Sequence, residues 1–152
     1  MSRIHDLGDK YTNLPDLLAE YNAELDRVPE RLAIRGKTLA VAQQEQTAWP
    51  YYYEARRAEL KTLVKYFDGQ MSKVRGSLTR RFNENYSMKL GERQINAYID
   101  NEKEYLSMLE LYLEVNEIYE KYTAVADAFT KRGFALRDLT EAKVNQLHDL
   151  PT

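Results

Sequence analysis

The chain has 152 residues, enough for one domain and too few for a second complete hydrophobic core. It contains no cysteine and two separated histidines, His5 and His148, both expected in exposed terminal segments, which excludes disulfides, thiolate chemistry and a histidine-rich metal site. The formal net charge of -2 conceals a segregation: residues 1–55 carry six basic and nine acidic residues, 56–93 ten and four, and 94–120 one and seven.

The first twenty residues lack a basic start followed by an apolar stretch, and no apolar run approaches the roughly 20 residues that cross a bilayer. A cytoplasmic protein without a membrane partner is expected. Asn13 or Asp16 can cap a first helix, LPDLLAEYNAELDRV, whose stripe is Leu17, Leu18, Tyr21 and Leu25 and whose end falls near Arg27. Pro29 suits the first turn of a second helix running through RLAIRGKTLAVAQQEQTAW, with Gly36 as its weak point. Pro50 then predicts a restart or a kink.

From Tyr51 to Phe67 the apolar positions again suit a helix, and Asp68-Gly69 reads as its stop. Residues 70–91 fit a short helix, a hairpin or an ordered loop. Between Glu92 and Arg132 there is neither proline nor glycine, so one uninterrupted helix is expected, closed by Gly133 with Lys131 and Arg132 at its negative end. A last short helix is expected over LRDLTEAKVNQL. The chain thus reads as a single helical domain, 1–152, with N-terminal helices (1–69), a basic connecting segment (70–91), a long core or oligomerisation helix (92–132) and a C-terminal helical segment (133–150). Its fold class is all-α, an elongated helical hairpin or bundle.

Tyr98, Tyr105, Tyr112 and Tyr119 recur every seven residues, with Ile99, Leu106 and Leu113 one position later. Two adjacent heptad rows, widened by Leu109, make a helix apolar over more of its circumference than one neighbour can cover. Either it is the centre of an intrachain bundle, or one face meets copies of itself. The candidate oligomerisation residues are Tyr98, Tyr105, Leu106, Leu109, Tyr112, Leu113, Tyr119 and Phe134. Phe134, next to the expected helix-ending glycine, either folds back on the core or crosses to a neighbour. Glu110, Glu114, Glu117 and Glu120 read as a solvated flank.

The basic middle supplies the candidate DNA-binding residues: Arg56, Arg57, Lys61, Lys65, Lys73, Arg75, Arg80 and Arg81. Arg57, Lys61 and Lys65 step by four and share a helix face, where like charges cost a few tenths of a kcal/mol per pair, a cost that an anion removes. Cations interleaved with Phe67, Phe82 and Tyr86 suit phosphates and unpaired bases, although the same residues also suit a solvated face with its aromatics turned inward. No phosphate loop or zinc-protease motif is present, and the Asp100, Glu102 and Glu104 steps of two spread carboxylates around a helix. No metal, cofactor or catalytic group is expected, and the chain does not read as an enzyme.

The string ADAFTKRGFALRDL (126–139), centred on Ala128-Phe129-Thr130-Lys131-Arg132-Gly133-Phe134-Ala135, resembles the closing signature of the UvsY-type phage recombination mediator family. The likeness extends back through NEKEYL (101–106) to KTLVKYFDG (61–69). It implies a ring-shaped homo-oligomer that binds single-stranded DNA, helps displace the phage single-stranded DNA-binding protein and promotes assembly of the phage recombinase filament in homologous recombination, replication and repair inside the infected host. Lys61 matches a family lysine associated with DNA. Leu63 stands where a second basic residue is expected, and Lys65 lies two positions on, about 200° around a helix. The competing reading is a structural oligomeric adaptor in which the basic middle meets an acidic neighbour.

Overall fold

The computed structural model describes residues 13–86 and 89–148; His5 lies outside them. Five helices follow one another: α1 (Leu14–Leu25), α2 (Val28–Leu32), α3 (Leu39–Asn85), α4 (Glu92–Asp100) and α5 (Lys103–His148). No strand occurs among the described residues, so the all-α class stands. The chain divides into two compact units, one within Met1–Glu59 and Glu120–Thr152, the other within Leu60–Tyr119.

In the first unit α1 buries Leu14, Leu17, Leu18 and Tyr21, the i, i+3, i+4, i+7 pattern of one helix face. The α5 residues Tyr122, Val125, Ala126, Phe129, Arg132 and Leu136 recur at the same three-to-four spacing. From α3, Tyr53 stacks on Phe129 with centroids 5.1 Å apart, while Tyr21 meets Tyr122 edge-on at 5.6 Å. In the second unit Leu78 and Phe82 of α3 pack with Ile95 and Ile99 of α4, and Val74, Leu90 and Tyr105 close over them.

Several expected boundaries move. The second expected helix is two: Gly36 takes φ 83°, open to glycine at little cost, and it separates α2 from α3. Thr38 then caps α3, its Oγ1 accepting from the Val41 N–H at 3.3 Å. Pro50 lies inside α3 and restarts nothing. Asp68-Gly69 and Gly76 do not stop it either, and most of 70–91 is helix rather than hairpin or loop. The reason is burial: Leu60, Leu63, Phe67, Leu78 and Phe82 continue the α3 stripe across both glycines. Each such side chain contributes about 1.5–3 kcal/mol, against about 1 kcal/mol for a helical glycine.

The expected 92–132 helix is broken at Asn101-Glu102, where the Asn101 and Glu102 N–H groups turn back to the carbonyls of Tyr98 and Ile99 at 3.2 and 3.0 Å. Asn101 also donates Nδ2 to Ala97 O at 2.9 Å, the local competition with helix bonding that makes asparagine a terminator. Gly133 does not end α5, and the expected last short helix is its continuation. Here glycine gives room: a Cβ at 133 would stand 3.0 Å from Gln46 Nε2, which donates to Phe129 O at 2.7 Å.

Candidate nucleic-acid interface

The eight candidate basic residues separate into two groups. Four are engaged within the fold. Arg56 donates to Glu59 at 3.0 Å, lies 3.8 Å from Glu24 and covers the Tyr52 ring at 5.1 Å. Arg57 donates to Thr123 at 3.1 Å and to Glu54 at 3.3 Å. Arg75 donates to Asn96 and Asp100, each at 3.1 Å, and sits over the Tyr105 ring at 4.8 Å; the Tyr105 hydroxyl is the first of the groups holding its guanidinium above the ordinary value, against the opposing effect of burial. Arg81 pairs with Glu102 at 3.2 Å.

Lys61, Lys65, Lys73 and Arg80 are exposed and have no ion-pair or hydrogen-bond partner among the described residues. All four belong to α3 within the second unit. At 100° per residue they fall within about 120° of helix surface, on the side away from the buried Leu60, Leu63, Phe67 and Leu78. Lys61 to Arg80 spans roughly 28 Å at 1.5 Å per residue. The glycines on this face, Gly69 and Gly76, have nothing within 4 Å of an added Cβ. Lys65 therefore shares a face with Lys61, about 40° away around the helix.

The tyrosine row is not one seam. Tyr98 belongs to α4 and Tyr105, Tyr112 and Tyr119 to α5, with the Asn101-Glu102 turn between them. Tyr105, Leu109, Tyr112 and Tyr119 are partly buried, whereas Leu106 and Leu113 remain 42% and 54% exposed. Phe134, rather than following a helix end and folding back, lies mid-helix and is 53% exposed, with the Arg137 guanidinium over its ring at 5.3 Å.

A polar network in the first unit was not anticipated. Glu24 accepts from Tyr52 Oη, from Tyr122 Oη at 3.4 Å and from Arg31 at 3.4 Å. Arg31 also donates to Tyr53 Oη at 2.8 Å and lies 4.0 Å from the Trp49 ring. Burial, and next the hydrogen bond to Glu59, pushes the Tyr21 phenol up; burial, and next the Glu24 charge, does the same for Tyr122. The Lys37 hydrogen bond holds the Glu45 carboxyl below its ordinary value. Within the run Tyr51-Tyr52-Tyr53, the acidic partner of Tyr52, Glu24, lies 28 residues away on α1, where local sequence spacing gives no sign of it.

Among the described residues no group of three or more acidic or histidine side chains is placed to hold a metal, and no helix is long and apolar enough to cross a membrane. The fold and this face define an all-α protein with a solvent-facing row of unpaired cations on one helix. No protein-family model, curated protein or solved structure matches the chain.

Proposed function

We propose that the protein binds single-stranded DNA along the outward face of α3 and acts as a self-assembling recombination mediator, helping to displace a single-stranded DNA-binding protein and to load a recombinase. One observation carries the reading: Lys61, Lys65, Lys73 and Arg80 line that face without acidic partners among the described residues. Lys61 and Lys65, one turn apart, repel each other, and phosphates along the face relieve that repulsion while releasing counterions. Phosphate contacts hold a strand without reading its sequence, as loading at any site requires. Copies joined through exposed apolar positions such as Leu106 and Leu113 would multiply modest affinities into avidity.

The test is fluorescence anisotropy of a mixed-sequence single-stranded oligonucleotide over a salt series. Four phosphate contacts predict a slope of log K on log salt near about -3 per chain. Replacing Lys61, Lys65, Lys73 and Arg80 together by Gln should flatten it without loss of helicity, while Arg57→Gln should not. Absence of binding at low salt by folded protein refutes the reading. The adaptor reading is favoured by the same Leu106 and Leu113, flanked by the exposed Glu110 and Glu114. It predicts assembly without DNA affinity.

A further inference from the structure

Three aromatic rings meet at one place in the second unit, two of the three pairs stacked and one tilted. Tyr86, immediately after α3, and Tyr98 of α4 have centroids 6.0 Å apart and planes only 16° from parallel. Phe82 lies behind them, 5.6 Å from Tyr98 at 29° and 6.1 Å from Tyr86 at 39°. Phe82 is 8% exposed and belongs to the cluster of Leu78, Ile95 and Ile99, so the stack has a fixed base. Its outer members are not core residues, since Tyr86 is 45% and Tyr98 46% exposed. Neither hydroxyl has a hydrogen-bond partner among the described residues, so no polar contact explains why two aromatic side chains are held there.

The charges around the stack nearly cancel. Lys89 and Arg93 are exposed beside the exposed Glu84 and Glu92, and Arg81 is paired with Glu102. What this patch offers a ligand is π-surface rather than net charge. The unpaired cation row ends at Arg80, near the end of α3; Phe82, two residues on, lies about 200° around the same helix, and Tyr86 follows just past the helix end. A ligand that follows the row to the end of α3 reaches the stack only by turning around that helix end, so it must be flexible as well as anionic along its length and flat at intervals.

We propose that Tyr86 and Tyr98 form a stacking platform for an unpaired base of the strand whose phosphates lie along Lys61, Lys65, Lys73 and Arg80. This rests on the single-stranded DNA reading above and adds to it a base-binding position. Aromatic stacking tolerates any base, because each presents a π-face, and it discriminates against duplex DNA, whose bases are already stacked.

The experiment compares two labelled oligonucleotides of equal length, one of thymidines and one of abasic sites, which share phosphates and differ in bases. Wild type should bind the thymidine strand more tightly. Tyr86→Leu and Tyr98→Leu should each weaken that strand roughly 5- to 150-fold, leaving affinity for the abasic strand and the salt slope unchanged. Tyr98→Phe, which keeps the ring, should behave as wild type. Helical ellipticity and a urea titration accompany every variant; if Tyr98→Leu unfolds, the Tyr86→Leu and Tyr98→Phe pair decides. Equal wild-type affinity for the two strands with a steep salt slope overturns the platform and leaves DNA binding standing. A base preference that survives both leucine variants overturns it too. Binding of neither strand at low salt overturns the DNA reading itself.

Discussion

Arg132 is 4% exposed, yet its charge is heavily used. Its Nε donates to Leu32 O at 3.0 Å, and one terminal nitrogen donates to Ala42 O at 3.2 Å and to Gln46 Oε1 at 2.9 Å. The other terminal nitrogen lies 3.8 Å from Glu45 Oε1, and both of these buried atoms lack a hydrogen bond. One side chain thus joins α5 to the end of α2 and the start of α3. Arg132→Met keeps apolar bulk and removes every donor to Leu32 O, Ala42 O and Gln46 Oε1. Hydrogen bonds to a charged group contribute about 1.5–3 kcal/mol each, but part of the loss is offset because the guanidinium no longer has to be desolvated. The expected cost is about 3–5 kcal/mol, or roughly 6–20 °C in Tm for a chain of this size. Arg132→Lys should recover little, since one ammonium cannot reproduce the planar fork. Urea unfolding followed by helical ellipticity, with unchanged slope, is the assay. A loss below about 1 kcal/mol for Arg132→Met would show that the buried fork contributes no more than an ordinary surface contact.

Gly69→Ala and Gly76→Ala should each stabilise α3 by about 1 kcal/mol, because neither site crowds a Cβ; a fall in Tm for either would mean that the helix is strained there. Thr38→Ala removes the α3 cap and should cost about 1 kcal/mol in the same urea assay, whereas Thr38→Ser should cost less than half of that. Tyr21 and Tyr122 have raised folded-state pKa values against an ordinary 10.0, so their contribution is present below pH 10 and is lost as pH climbs beyond it. Their phenolate absorbance should therefore appear together with loss of ellipticity. Complete ionisation of all twelve tyrosines with helices intact would contradict their burial. Glu45 works in the opposite direction: its depressed pKa stabilises above the ordinary carboxylate value of 4.5 and is lost as pH falls, so Lys37→Met should reduce the acid-side slope of stability.

Helical class and the first helix were legible because α1 writes its buried face as a simple spacing, Leu14, Leu17, Leu18 and Tyr21. The glycines misled. Gly36, Gly69, Gly76 and Gly133 look alike in a sequence, yet one sits at positive φ and three stay in helices. The difference lies in apolar residues before and after each one and, at Gly133, in a side chain 87 positions upstream. The Asn101-Glu102 break was readable in hindsight from DNE, three consecutive polar residues of which two are poor helix formers. Among the basic residues, sequence identified the positions but not their employment. Along the chain Arg56 shows one acidic neighbour, Glu59 three residues on, and nothing that reveals a tie to another helix. Glu24, some thirty residues upstream, approaches Arg56 and leaves Lys61 alone.

That division has an evolutionary consequence. The arginines that reach from one helix to another, Arg31, Arg56 and Arg132, are distinct from the α3 cations that face solvent. Selection can add, remove or slide surface cations along α3 one at a time, altering the charge that this face presents, while the internal ties and hence the folded state persist. Surface charge and structural integrity are in this chain separately mutable traits.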